Sequence, residues 1–265
     1  MATLPGFDPS TPNEARILDY LLGGKDNYAV DRDAANRAIE VAPELPMMAQ
    51  EARKFLGRVV RFLVDTGIDQ FVDVACGLMT RGSVHEIAPA ARVAYVDNDP
   101  VVATHARALL GGSGQHAFLS ADMRDTEEML AELAKLPLLD MERPIGMILH
   151  SALPLIPDDD VAEQMVERIR EAMVPGSCLV LSHAISDLRP DVTERLSTLY
   201  QDEQIVEGKS RRKNLRTKAE VERFFAGLEL LEPGLVNLPA WRPDRGEPTV
   251  DPASVWAVGG VARKL

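Results

Sequence analysis

Apolar residues recur along the chain with two spacings. In the first quarter they recur every three or four positions, which predicts helices over residues 13–22, 30–41 and 46–66. Beyond that point, short continuous apolar runs alternate with further helical patterns, as in an α/β fold. We therefore expect a helical segment over residues 1–66, followed by an α/β domain over residues 67–265.

Seven apolar runs in the second segment predict β-strands, at residues 70–75, 93–97, 116–119, 144–150, 178–183, 228–236 and 254–260. Helical patterns separate most of them, at residues 80–88, 100–110, 125–134, 159–172, 190–206 and 217–226. This alternation favours a parallel sheet with helices on both faces. The proline-rich segment 237–253 joins the last two runs without a helix, so we expect an antiparallel hairpin at the sheet edge.

The first two runs carry the clearest chemical signal. The stretch FVDVACG places Asp73 in a buried strand and then the small residues Ala75, Cys76 and Gly77 where the chain must turn. Small residues let a ligand approach the backbone closely. The second run ends in Asp97, where a carboxylate of a βαβ unit can accept hydrogen bonds from both hydroxyls of a ribose. The pattern predicts a nucleoside-containing cofactor.

The spacing of the glycines narrows the choice of cofactor. A dinucleotide site needs G-x-G-x-x-G, whereas here Ala75 and Gly77 are followed by no glycine before Gly82. Asp73 and Asp97 flank the turn and would repel a pyrophosphate. A sulfonium, an ammonium and a ribose suit these acids better, which favours S-adenosyl-L-methionine.

Composition and charge disfavour several classes of partner. The net charge of −12 repels phosphate backbones, so we expect no nucleic-acid substrate. No apolar run is long enough to span a membrane, and the N-terminus shows no signal pattern, so we expect a cytoplasmic protein without a membrane partner. The two cysteines form no disulfide framework and the five histidines show no metal-ligand spacing, so we expect no metal site.

Several blocks resemble one known family: ARILDYLLGGKDNYAVDRDAA (15–35), SVHEIAP (83–89), YVDNDPVV (95–102), VPGSCLVLSHA (174–184), FFAGLELLEPGLV (224–236) and WRPD (241–244). They are similar to an actinobacterial family of S-adenosylmethionine-dependent methyltransferases, formerly catalogued as a domain of unknown function. The resemblance covers nearly the whole chain. It implies the class I Rossmann-like fold, with a seven-stranded sheet whose last strand is antiparallel and an N-terminal helical extension.

Ligands of open α/β sheets bind at the carboxyl ends of the strands. The expected cofactor contacts there are Asp73, Ala75, Cys76, Gly77, Asp97, Asn98, Asp122, Met123 and Ser151. The resemblance implies that Asp97 holds the ribose, that Asp122 accepts from the adenine amino group, and that Met123 packs on the ring. Family patterns usually have glycine where Ala75 stands, and alanine is small enough to preserve the turn.

The N-terminal block allows two interpretations. The simpler one is a Gly-Gly helix end followed by a solvated turn. The resemblance favours a lid over the cofactor, with Arg16 or Lys25 on the methionine carboxylate and Tyr20 or Tyr28 over the sulfonium. We therefore include Arg16, Tyr20, Gly23 and Lys25 among the expected cofactor contacts.

The catalytic group and the acceptor are harder to predict from the sequence than the cofactor contacts. His150, at the end of the fourth strand, is the candidate catalytic residue, because a neutral histidine can take a proton near pH 7. Relatives commonly carry a histidine four places later, where this chain has Pro154. Trp241 and Trp256 are expected near the acceptor pocket, with plain strand packing as the alternative for Trp256. The basic cluster 209–218 is expected to be a solvated linker, with a local anion patch as the alternative.

The sequence thus predicts a methyltransferase acting on a small-molecule O or N acceptor. One alternative is a non-catalytic protein that binds S-adenosylmethionine or S-adenosylhomocysteine as a sensor or partner module. An NAD-type dehydrogenase is the other, and the missing glycine spacing disfavours it.

Overall fold

The computed structural model describes residues 10–79, 82–111, 114–203, 205, 215–246 and 250–265. Its described strands are β1 (Gln70–Val74), β2 (Arg92–Asp97), β3 (His116–Ser120), β4 (Gly146–His150), β5 (Cys178–Ala184), β6 (Glu229–Leu230), β7 (Val236–Asn237) and β8 (Ala257–Arg263). They form one sheet of order β3-β2-β1-β4-β5-β8-β6, and β7 also pairs with β8.

The sheet confirms the predicted class I Rossmann-like architecture. Strands β1 to β5 pair in parallel, whereas β8 runs antiparallel to β5 and to both short strands. The run predicted as one strand over residues 228–236 is instead divided into β6 and β7. Pro233 has no N–H for a ladder, and the N–H of Gly234 turns back to the carbonyl of Leu231 at 2.8 Å.

The described helices are α1 (Glu14–Leu21), α2 (Ala29–Val41), α3 (Leu45–Asp65), α4 (Val84–Ile87), α5 (Pro100–Leu109), α6 (Thr126–Leu133), α7 (Asp159–Ala172), α8 (Pro190–Asp202) and α9 (Lys218–Glu222). The predicted fourth helix begins late, at Val84, and residues 80 and 81 lie outside the described residues. Within the part of the chain that the structure describes, no helix is long and apolar enough to cross a bilayer.

Alternate residues of each strand face two different cores. Phe71 and Ile148 point to a core that includes Phe55 of α3, whereas Val72 and Met147 point to a core built with α6 and α7. Helix α3 lies close to the sheet because β8 has glycine at its crossing: a Cβ on Gly259 would lie 2.4 Å from the ring of Phe55. One end of α3 is thereby fixed beside the carboxyl ends of the strands.

A buried carboxylate joins the first two helices. Asp31, at the start of α2, accepts from the side chain of Arg16 at 3.1 Å. It also accepts from the backbone N–H groups of Asn13 and Tyr28, at 3.0 and 2.8 Å. Both members of the ion pair are buried. Asp31 therefore caps α2 and fixes the start of α1 at the same time.

A second carboxylate closes the turn between those helices. Asp19 accepts from the backbone N–H of Asp26 and from the side chain of Asn27, both at 2.8 Å. A Cβ on Gly24 would lie 1.9 Å from a carboxylate oxygen of Asp19, so only glycine fits there. The turn is thus more than a solvated cap, because Asp19, Asn27 and Gly24 together define the angle between α1 and α2.

Candidate cofactor and acceptor site

A cavity of about 390 Å³ lies at the carboxyl ends of β1, β2, β4 and β5. The turn after β1 and the first residues after β2, β3 and β4 form one side of it. The inward faces of α1, α3 and α8 form the opposite side. The predicted residues at the strand ends all line this cavity: Asp73, Ala75, Cys76, Gly77, Asp97, Asn98, Asp122, Met123, His150 and Ser151.

Asp97 is fixed by the backbone around it. The N–H of Gly77 donates to one carboxylate oxygen at 2.9 Å, and the N–H of Asp99 donates to the other at 3.0 Å. Both Ala75 and Gly77 have positive φ, of 55° and 61°, which turns the chain sharply toward Asp97. Burial raises the pKa of Asp97, and these two hydrogen bonds oppose the shift. A carboxylate has about four acceptor sites, so Asp97 can still accept from a hydroxyl.

Asp73 is a buried acid near the end of β1, two residues before the turn. Burial raises its pKa to about 7; the cation of Arg53 opposes this shift and the charge of Asp97 adds to it. Burial lowers the pKa of Arg53, which the charge of Asp73 counteracts. Arg53 is not among the residues predicted from the sequence, although a basic residue between the inward positions Ala49 and Leu56 of an amphipathic helix is a signal that the sequence contains.

Asp122, after β3, is held by a neighbour that the sequence analysis also missed. The guanidinium of Arg124 donates to both carboxylate oxygens, at 2.9 and 3.0 Å from Nε, and the backbone N–H of Arg124 donates at 2.9 Å. The side chain of Asn98 approaches the same carboxylate at 3.4 Å. Burial acts to raise the pKa of Asp122, and the hydrogen bonds from Arg124 hold it below the ordinary value.

His150 lies half-buried at the end of β4, and its Nδ1 lies 2.8 Å from the hydroxyl oxygen of Ser182 on β5. Burial lowers its pKa to about 3, with a further contribution from the charge of Arg53. The ring is therefore neutral near pH 7, and a group of such low pKa is a weak base. The next residue, Ser151, has a positive φ of 57°, and its N–H donates to Ser182 at 3.0 Å.

The predicted lid contacts lie elsewhere than expected. Arg16 pairs with Asp31, and the hydroxyl of Tyr20 donates to Asn36 at 3.1 Å. Gly23 and Lys25 are exposed in the turn after α1. None of Arg16, Tyr20, Gly23 and Lys25 lines the cavity. The reason is helical periodicity: these residues lie on the faces of α1 that meet α2 and solvent, or beyond its end.

The opposite face of α1 does line the cavity, through Asn13, Glu14, Ala15 and Leu18. A Cβ on Gly77 would lie 3.6 Å from that of Ala15, so the start of α1 lies directly over the turn after β1. Asn13 caps this helix, because its side chain accepts from the N–H of Ala15 at 2.8 Å.

Arg216 fixes the wall of the cavity after β4. Its buried guanidinium donates to the carbonyls of Leu153 and Ile156, at 3.0 and 2.8 Å, and to Asp159 at 2.9 Å. The prediction of a solvated linker is therefore wrong at this position, while residues 209–214 of the basic cluster lie outside the described residues. Trp256 lines the cavity as expected, whereas Trp241 is fully buried in the core.

Among the described residues, no group of three His, Cys, Asp or Glu side chains is placed to hold a metal ion. Carboxylates and apolar side chains form much of the lining of this site. The carboxylates of Asp73, Asp97 and Asp122 lie along one side of the cavity, which suits a ligand with an ammonium, a ribose and an exocyclic amino group.

Comparisons with known proteins agree with this assignment. A family model described as S-adenosyl methyltransferase matches residues 3–265. A crystal structure from Thermobifida fusca YX, of a protein assigned as a methyltransferase, is 38% identical with a TM-score of 0.88, over 98% of this chain and 97% of that chain. A DUF574 family protein from Streptomyces avermitilis is 34% identical with a TM-score of 0.88, over 97% and 99%.

A more distant structure shares the fold. The N-methyltransferase NodS from Bradyrhizobium japonicum WM9, in complex with S-adenosylhomocysteine, is 12% identical with a TM-score of 0.50, over 82% of this chain and 87% of that chain. No curated protein matches the chain.

Proposed function

Since the chain belongs to the S-adenosyl methyltransferase family, we propose that it methylates an oxygen or nitrogen atom of a small molecule held in the cavity at the strand ends. Family membership confirms the predicted enzyme class and cofactor, S-adenosyl-L-methionine. The observation that supports a small acceptor is the cavity itself, which continues from the carboxylates at the strand ends to apolar walls on α3 and α8.

In this proposal the acids at the strand ends hold the cofactor. Asp97, already oriented by two backbone N–H groups, accepts from the ribose hydroxyls. Asp122 accepts from the adenine amino group, with Asn98 beside it and Met123 against the ring. Asp73 takes the charge of the methionine ammonium, which would offset the cost of ionising a carboxyl whose pKa burial raises to about 7.

Helix α1 serves as the lid over this site, and residues 1–66 form the lid segment of the proposed two-part organisation. Its contribution comes from Asn13, Ala15 and Leu18, which line the cavity, rather than from Arg16, Tyr20, Gly23 and Lys25. The Arg16–Asp31 pair and the turn closed by Asp19 do not contact the cofactor site. They act on it indirectly, because they fix the angle between α1 and α2. We therefore treat these residues as positioning residues.

The chain needs little acid–base machinery for this reaction. S-adenosylmethionine supplies a methyl group that its sulfonium already activates, so the protein chiefly aligns the acceptor and excludes water. His150 is better suited to donating or accepting a hydrogen bond as a neutral ring than to acting as a general base, since its pKa is about 3. Ser182 would fix its orientation.

The experiment that tests the proposal measures S-adenosylhomocysteine formed from S-adenosylmethionine with a panel of small alcohols, phenols and amines. We expect turnover with a subset of apolar acceptors, and its loss in Asp97→Asn. Tight binding of S-adenosylmethionine with no turnover across the panel would favour the binding-protein alternative.

A further inference from the structure

One carboxylate of the cavity lies apart from the acids at the strand ends. Glu14, in the first turn of α1, lines the cavity, and its Oε2 is buried without a hydrogen-bond partner among the described residues. Burial raises the pKa of this side chain to about 7. A buried carboxylate oxygen without a partner is costly, so its retention there indicates that a ligand completes the site.

The neighbours of Glu14 indicate which part of the cavity it serves. The Tyr200 hydroxyl of α8 is close enough to Glu14 for their charges to interact: burial raises the pKa of Tyr200, and the charges of Glu14 and Glu203 raise it further. Helix α8 follows β5, whereas Asp97 and Asp122 follow β2 and β3 on the other side of β1 and β4. Tyr200 therefore lies away from the ribose and adenine positions, and Glu14 is within electrostatic range of it.

The walls near Tyr200 are largely apolar. Met48 and Leu56 of α3, Leu196 of α8 and Trp256 before β8 all line the cavity and are buried. The cations that line the cavity already face other groups: Arg124 holds Asp122, Arg216 holds the carbonyls after β4, and Arg53 lies within electrostatic range of Asp73. A ligand that suits this region has an apolar body and one group that can donate hydrogen bonds to a carboxylate.

We propose that Glu14 is the acceptor-recognition residue and that the acceptor is a hydrophobic amine, bound as its ammonium with Tyr200 beside it. The inference rests on the proposed function and deepens it by naming the acceptor class. An ammonium provides both the counter-charge and the donors that a buried carboxylate lacks, whereas an alcohol provides one donor and leaves the charge uncompensated.

Glu14 can also accept the proton that an ammonium must lose before its nitrogen can be methylated. An N–H bond of the ammonium breaks as an O–H bond forms on the carboxylate, which leaves the nitrogen lone pair free. A carboxyl whose pKa is about 7 accepts this proton more readily than an ordinary glutamate. His150, with its pKa of about 3, is less suited to the task.

The test uses matched pairs of probes that differ only in the polar group: 2-phenylethylamine against 2-phenylethanol, and 4-phenylbutylamine against 4-phenylbutanol. Each is titrated calorimetrically into the protein saturated with S-adenosylhomocysteine. We expect the wild type to bind an amine at least about tenfold tighter than its alcohol, the discrimination that one charge-assisted hydrogen bond provides. Glu14→Gln should abolish that preference without altering the affinity for S-adenosylhomocysteine.

Glu203→Gln is the matched control. The charge of Glu203 also raises the pKa of Tyr200, but Glu203 pairs with Arg37 and does not line the cavity. The control should keep the preference for amines. Equal binding of amine and alcohol to the wild type, or a preference that persists in Glu14→Gln, would overturn the inference.

Two further outcomes separate this inference from the proposed function. If Glu14→Gln weakens S-adenosylhomocysteine binding itself, then Glu14 is a cofactor ligand and the acceptor assignment is wrong, while the enzyme class stands. If the wild type binds no S-adenosylhomocysteine, the failure belongs to the proposed site as a whole.

Discussion

Replacing Asp73 with asparagine should stabilise the cofactor-free protein at neutral pH. The side chain is buried at the end of β1, and its pKa is raised from 3.8 to about 7, chiefly by burial. Asparagine has nearly the same shape and carries no charge. The substitution therefore removes the cost of ionising this group, which we attribute to its role in cofactor binding.

The sign follows from proton linkage. A carboxyl whose pKa is higher in the folded state than in the unfolded chain stabilises the fold at low pH. That stability is lost as pH rises from about 4 to about 7. A shift of about three units corresponds to an upper limit of about 4 kcal/mol. Buried sites respond as if their dielectric constant were about 20, so we expect about 2 kcal/mol, or a rise of roughly 4–8 °C in the unfolding midpoint.

The assay is thermal or urea unfolding of the wild type and Asp73→Asn between pH 4 and 8, without cofactor. The stability difference should be small at pH 4, grow up to about pH 7 and level off above it. Asp69→Asn is the control, because Asp69 lies just before the same strand but is exposed and paired with Arg92 and Arg143. If Asp73→Asn is less stable than the wild type at pH 8, or the difference does not vary with pH, the reasoning is refuted.

Four further substitutions test other parts of the structure in urea unfolding. Gly24→Ala should cost about 1–3 kcal/mol, since a Cβ would meet the Asp19 carboxylate at 1.9 Å; an unchanged midpoint would contradict the described turn. Gly57→Ala, inside α3, should instead gain up to about 1 kcal/mol, because it meets only the flexible end of Arg61; a clear loss would contradict this. Arg216→Met should cost about 3–5 kcal/mol by leaving buried groups unpaired, whereas an unchanged stability would show that these hydrogen bonds do not hold the cavity wall. His150→Gln should reduce the loss of stability as pH falls from about 6.5 toward 3, because the folded state lowers the pKa of that histidine; an unchanged acid limb would contradict its burial.

The strand ends could be predicted from sequence because each signal is local. Asp73, Asp97 and Asp122 end or follow buried runs, and the parallel sheet brings the ends of such runs to one edge. The turn at residues 75–77 was readable for the same reason. The period of the apolar residues likewise gave the order of helices and strands, except at Pro233.

The contacts of the helical segment could not be predicted in this way. The block around Arg16 was specific enough to suggest a functional role, but its polar residues hold α1 to α2 and close the turn between them. Which face of α1 meets the cavity depends on where Asp31 fixes the helix, a contact between distant residues. Arg53 and Arg124 were missed because their partners, Asp73 and Asp122, were interpreted only as ligands.

Asp97 is the residue on which the assignment of the cofactor site depends most directly. The decisive measurement is the affinity for S-adenosylhomocysteine, by isothermal titration, of the wild type, Asp97→Asn and the surface control Asp69→Asn, with the fold of each variant checked by circular dichroism. We predict binding to one site in the wild type and the control, and at least about tenfold weaker binding to Asp97→Asn, as expected when a charged acceptor for two hydroxyls is lost. Equal affinity in all three proteins, or no binding to the wild type, would contradict the assignment of the cavity as the cofactor site.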